Sequence, residues 1–180
     1  MVNPCDAKEE ADAVLHLLQS IVSSLNLSLV LCCGTCLGLV RDGGYIKNDN
    51  DIDVAILANF QPCTKEQKKS LSEKLRQNGF RSSQNPPVML SGQEHWWKHS
   101  ILVCIRWIYG SGNQIHSIRF FKSFDKVTYD GQTYNIPHPV EEYLTANYPK
   151  RSYGVDWRTP RIRGTGWQLK WDRTLGKPIK

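Results

Sequence analysis

Gly34-Thr35-Cys36-Leu37-Gly38-Leu39-Val40-Arg41, followed after a Gly-rich turn by Asp49-Asn50-Asp51-Ile52-Asp53-Val54, is the stretch from which the rest of the chain can be read. Residues two apart on a strand point to the same face and lie roughly 6–7 Å apart. Asp51 and Asp53 can therefore share one cation while Ile52 and Val54 turn into the core. Asp is a hard oxygen ligand, and Mg²⁺ takes one or two protein carboxylates, filling its other positions with water and substrate phosphates. Surface strands also carry alternating acids, and Asn-Asp runs mark turns. What sets this stretch apart is its order: an apolar run Leu27–Cys33, the Gly-Thr turn, an amphipathic stretch Leu37–Val40, a turn at Gly43-Gly44, and the acidic strand Asp51–Leu57. That order points to a platform for Mg²⁺, or Mn²⁺ in its place, that handles nucleotides or other phosphates.

Working outward, Ala7 to about Leu25 spaces its apolar residues as an amphipathic helix, with Glu9 and Glu10 early in the segment. Leu27–Cys33 reads as a first strand, Cys36–Arg41 as a short helix, and Thr64–Gln77 as a charged helix that stops at Asn78-Gly79. From Phe80 to about Phe121 the pattern is strand-like. Ile101–Tyr109 is its most apolar run, and a turn at Gly110–Gly112 would pair that run with Gln114–Phe121 as a hairpin. Asp130-Gly131 is a strong two-residue hairpin signal, and a helix is expected over Val140–Asn147. Strands interspersed with helices make an α/β (α+β) chain: a mixed sheet flanked by helices, in a single domain.

The residues Gly34-Thr35-Cys36-Leu37-Gly38 through Arg41, Ile46, Asp49 and Asp51-Ile52-Asp53 resemble the signature of the LicD/fukutin-type nucleotidyltransferase-fold family. A second, supportive match runs from Val140-Glu141-Glu142-Tyr143-Leu144-Thr145 through Tyr148 to Asp156-Trp157-Arg158-Thr159-Pro160. The resemblance implies a nucleotidyltransferase-type sheet. It also implies transfer of a phospho-alcohol such as phosphocholine or ribitol phosphate from a CDP-linked donor to a glycan, relatives in the wider superfamily moving nucleotidyl groups. Carried over, Asp51 and Asp53 become metal ligands, the Gly34-Thr35 turn approaches the donor phosphate, and Arg41 is a candidate phosphate clamp. Asp49 matches a further acid of the pattern, and Arg158 is the residue of the second match expected nearest the site.

One departure stands out. Many bacterial members carry His-Ile-Asp-Ile-Phe on the neighbouring strand, where this chain aligns His116-Ser117-Ile118-Arg119-Phe120. The third acid is then replaced by Ser117, and Arg119 on the same strand face would compete with a metal for the dicarboxylate. Otherwise the third acid is Glu94, Asp125 or Asp130. Phosphoryl transfer needs charge neutralisation and in-line positioning more than covalent help from the protein. A general base for the acceptor hydroxyl is still useful, and His116 is the neutral-pH candidate, with a structural role as its alternative.

Composition bounds the remaining readings. The chain of 180 residues and +6 formal charge is ample for one domain, and no run approaches the ~20 apolar residues of a membrane span. The start lacks the layout of a signal peptide, so a cytoplasmic protein is expected. Cys33-Gly34-Thr35-Cys36, between a strand and a helix, has the spacing of a redox motif and supports a rival reading as a thiol oxidoreductase. Against it, no Trp precedes the motif, Cys32 is adjacent, and the glycine and threonine already belong to the acidic-strand pattern. Cys5, Cys63 and Cys104 are isolated and do not form a zinc pattern. The expected organisation is a domain over 1–149 and a basic arm over 150–180 packed on or near it. That arm holds nine Lys and Arg against two Asp, with Trp157, Trp167 and Trp171 interleaved. Such a composition suits sugar stacking or single-stranded nucleic acid, nucleic acid ranking behind a nucleotide-linked donor and a glycan or other hydroxyl acceptor. A second rival keeps the fold and binds nucleotide or phosphate without turnover.

Overall fold

The computed structural model describes residues 2–82, 92–108, 117–149 and 156–159, with the backbone of 171–172 and 177–178. The chain runs α1 (Lys8–Ser24), β1 (Ser28–Leu31), α2 (Cys33–Arg41), β2 (Asp51–Ala58), β3 (Gln61–Pro62), α3 (Lys65–Gln77) and β4 (Arg81–Ser82). It continues with β5 (Gln93–Lys98), β6 (Ile101–Trp107), a 3-10 turn (Ile118–Phe121), β7 (Phe124–Tyr129), β8 (Gln132–Pro137) and α4 (Val140–Asn147). A separate two-stranded pair joins β9 (Trp171–Asp172) and β10 (Lys177–Pro178).

The main sheet is eight-stranded, in the order β4-β5-β6-β2-β1-β8-β7 with β3 beside β2. It is mixed: β2 runs parallel to β6 and β1 parallel to β8, and the other pairs are antiparallel. β2 lies at its centre, which is why six of its eight residues are buried. Alternation along β2 and β6 gives the sheet two chemically distinct faces. Ile52, Val54 and Ile56 register with Val103, Ile105 and Trp107 on one face, whereas Asp51, Asp53 and Ala55 register with Leu102, Cys104 and Arg106 on the other.

α3 covers the apolar face, with Lys68 Nζ 4.5 Å from the Trp107 ring and Arg76 5.5 Å from that of Trp96. α1 packs against α3 and β1, burying Val14, Leu15, Leu18 and Val22 along its helical stripe. α3 starts on a capping box in which the Thr64 hydroxyl accepts from Gln67 N–H and the Thr64 N–H donates to the Gln67 side chain. No helix among the described residues is long and apolar enough to cross a membrane.

The expected elements form with shifted ends. α2 begins at Cys33 rather than Cys36, so Gly34 and Thr35 belong to its first turn. The Asp130-Gly131 hairpin forms with both residues at positive φ, as its turn requires. Of the hairpin expected between Ile101–Tyr109 and Gln114–Phe121, residues 109–116 lie outside the described residues. β6 pairs with β5 before it and with β2, while Ile118–Phe121 is a 3-10 turn whose Phe120 and Phe121 pack edge-on against Tyr143. Two aromatic side chains in succession can fill a core hole from a tight turn as readily as from a strand, and periodicity does not separate the cases. Trp96 is fully buried and belongs to the core.

Candidate active site

The site is built where β1 hands over to α2 beside the acidic end of β2. Cys33 takes a left-handed backbone (φ 44°), and its N–H donates to the Tyr143 hydroxyl at 2.9 Å, which satisfies one unpaired donor of the helix start. The next N–H, from Gly34, donates to Asp53 Oδ2 at 3.0 Å, and the Asp53 N–H donates to Thr35 Oγ1 at 2.8 Å. A helix N-terminus favours a carboxylate in this position. Gly34 and Thr35 are thereby engaged with Asp53; Thr35 is itself buried.

Gly34 has a second task. A Cβ there would lie 2.2 Å from Asp49 Oδ2 and 3.3 Å from Asp53 Oδ2, so only glycine leaves room for Asp49 above the helix start. Gly38 does the same for the following loop, since its Cβ would meet the Gly44 carbonyl oxygen at 2.5 Å and Ile46 Cγ1 at 2.9 Å. The two glycines therefore bring Asp49, Asp51 and Asp53 into one cluster. Burial and the Asp53 charge push Asp49 up to about 6. Burial, Asp53 and Asp49 push Asp51 up to about 7.

The neighbouring strand on this face is β6, not the segment around Ser117. Directly beside Asp53 stands Cys104, and the ligand atoms of Asp51, Asp53 and Cys104 lie within 4.8 Å of one another. One step along, Arg106 sets Nε and Nη2 on Asp53 Oδ1 at 3.1 and 2.9 Å, and its Nη1 donates to Gln93 Oε1 at 2.8 Å. Burial opposes the guanidinium charge and the Asp53 carboxylate beside it favours it, the net effect being upward, so Arg106 stays protonated. A cation does sit beside the dicarboxylate, then, but it is Arg106 rather than Arg119, which lies over the Phe120 ring. The sequence signal was a charged residue inside the most apolar run of the chain, since an arginine is rarely buried without a partner.

None of the alternative third acids is here. Glu94 points to the apolar face, where it accepts from Trp96 Nε1 at 3.1 Å and Trp107 Nε1 at 3.0 Å. Asp125 accepts from the Val140 N–H at the start of α4 and pairs with His138. Asp130 sits in the β7–β8 turn, 3.5 Å from Lys8. Arg41 forks onto its neighbour Asp42, and Arg158 pairs with Glu141 and Asp156. His116 lies outside the described residues, while His95 registers with Cys104 and so shares the acidic face.

The cysteines are all free thiols. Cys36 is fully buried, and burial pushes its thiol up.

The sequence model of the LicD/FKTN/FKRP nucleotidyltransferase domain matches residues 26–150. Among curated proteins, none matches the chain. The fold is similar to that of ANT(2″)-Ia in its crystal structure with adenylyl-2″-tobramycin, at 14% identity over 69% of this chain and 67% of that one, with a TM-score of 0.48. It is also similar to the solution structure of the antibiotic-resistance factor ANT(2″)-Ia, at 14% identity over 69% of this chain and 63% of that one, with a TM-score of 0.51. This chain spans about two thirds of those proteins, and the second likeness identifies the nucleotidyltransferase-type fold.

Proposed function

The chain belongs to the LicD/FKTN/FKRP nucleotidyltransferase-domain family, and from that premise we propose that it is a transferase acting on a nucleotide-linked donor. The group moved is a phospho-alcohol from a CDP-alcohol, or a nucleotidyl group from a nucleoside triphosphate, and the acceptor is a hydroxyl, with glycans as its class. The observation that carries this reading is the gathering of Asp49, Asp51 and Asp53 at the N-terminus of α2, with two of the three acids pushed up towards neutral pH.

Those residues fit a hard divalent cation. Asp51 and the neighbouring Asp49 offer the one or two carboxylates that Mg²⁺ or Mn²⁺ requires. A cation held there would neutralise the donor phosphates, which is most of what phosphoryl transfer asks of a site. The chain's own contribution is to fix Asp53 and the α2 N-terminus, to keep the floor of the site dry through Thr35 and Cys104, and to hold the donor for in-line attack. His95 and His116 are the imidazoles to test as acceptor bases.

Calorimetric titration with CTP, CDP and CDP-choline, with and without Mg²⁺, tests the reading together with release of CMP from CDP-choline or of pyrophosphate from CTP in the presence of sugar acceptors. Mg²⁺-dependent binding that disappears in Asp51→Asn, with either product released, supports it. Absence of binding in every condition sinks it. The Arg106–Asp53 ion pair favours one second reading, nucleotide binding without turnover, whose mark is binding with neither CMP released from CDP-choline nor pyrophosphate released from CTP.

A further inference from the structure

Asp51 and Asp53 look equivalent in the sequence, but the fold treats them differently. Asp53 has both oxygens engaged: Oδ2 takes the Gly34 N–H, and Oδ1 takes two N–H groups of Arg106. Its side chain is 6% exposed, and the arginine is anchored from behind by Gln93. Among the described residues no Lys or Arg pairs with Asp49 or Asp51. The strand position beside Asp53 is filled by Cys104, a soft donor that a hard cation does not seek.

We propose that Arg106 is the resident counter-cation of Asp53, held where a divalent ion would otherwise bind, so that the site takes a single divalent cation through Asp51 and Asp49. Arg106 then acts as a specificity-determining residue, setting how many ions the site holds and how tightly. A fixed positive charge a few ångströms from a divalent ion lowers its affinity, and a second ion on Asp53 would have to displace the guanidinium first. The inference rests on the cation reading above. Its readout is metal binding alone, so a failure to find a donor or a product bears on the transferase reading and not on the role of Arg106.

The experiment is Mn²⁺ titration of the metal-free full chain, followed by the loss of the free-ion electron paramagnetic resonance signal, with circular dichroism to check folding. Arg106→Gln is expected to bind Mn²⁺ about tenfold more tightly than the native chain, or to take up a second ion. The double variant Asp53→Asn plus Arg106→Gln removes one charge of each sign, and is expected to bind within about threefold of the native chain, whereas Asp51→Asn is expected to lose binding. Arg106→Gln that binds no better than the native chain overturns the proposal, as does failure of every form to bind. A double variant that loses Mn²⁺ as completely as Asp51→Asn overturns it too, because Asp53 would then be a ligand. Should Arg106→Gln fail to fold, the double variant decides.

Discussion

Single atoms at two glycines set the geometry of the acidic cluster. Gly34→Ala places a methyl 2.2 Å from Asp49 Oδ2, the end of a side chain that can swing away. The expected variant is folded, with a denaturation midpoint close to native but Mn²⁺ affinity down about tenfold because Asp49 has been expelled. Gly38→Ala instead drives a methyl into a backbone carbonyl 2.5 Å away, which cannot yield so easily; a loss of about 1–3 kcal/mol is expected in urea denaturation. The carboxyls also predict a pH dependence. A carboxyl whose folded pKa exceeds the ~3.9 of an unfolded Asp binds its proton more tightly when folded. The stability this gives is complete below about pH 4 and is lost as pH rises through the values of about 6 and about 7 held by Asp49 and Asp51. Metal-free protein should therefore become less stable between pH 4 and pH 7. Asp51→Asn should flatten that slope, recovering on the order of 1 kcal/mol at pH 8 after allowance for partial exposure. A denaturation midpoint that climbs over this range in the native chain would contradict the pKa assignments.

At the scale of elements, β6 carries the lesson of the site. Its sequence reads as a buried strand and is one, yet which strand it joins depends on a parallel crossover to β2 that no local pattern encodes. The same-face spacing of Asp51 and Asp53 and the hairpin at Asp130-Gly131 were legible because each is a local requirement, whereas the close approach of Asp49 to Gly34 and of Gly44 to Gly38 was not. The partner of Asp53 was not legible, because Arg106 lies 53 residues away in sequence and becomes a neighbour only through strand pairing. Glu94 shows the converse, since an acid that sequence offers as a third ligand is turned by the same strand register towards two indoles. Glu94→Ala should strip both Trp96 and Trp107 of their acceptor and cost about 2–4 kcal/mol, leaving Mn²⁺ affinity untouched. If Mn²⁺ binding fell while stability held, the face assignment of β5 would be wrong.

For the molecule as a whole, the matched family region ends at residue 150, yet the chain beyond it is tied back to the site's supports. Trp157 is 8% exposed, its Nε1 donates to Thr145 Oγ1 at 3.1 Å, and Arg158 stacks on its ring while pairing with Glu141. Thr145 and Glu141 lie on α4, and α4 also carries Tyr143, whose hydroxyl receives the Cys33 N–H where α2 begins. A chain of contacts thus runs from the basic arm through α4 to the helix start that holds Asp53. The sequence matched Trp157 and Arg158 to the family pattern and expected Arg158 to be the residue of that match nearest the site; in the fold, its guanidinium reaches Glu141 and braces α4. Trp157→Ala should then lower stability by about 2–3 kcal/mol, below the range for a fully enclosed tryptophan because the ring lies at an edge. Arg158→Ala breaks exposed ion pairs that contribute little, so its stability should change by less than about 1 kcal/mol and its donor affinity not at all. A large loss of nucleotide binding in Arg158→Ala, with the denaturation midpoint unchanged, would show that the guanidinium leaves Glu141 to meet the donor, and the bracing role would give way to the one the sequence suggested.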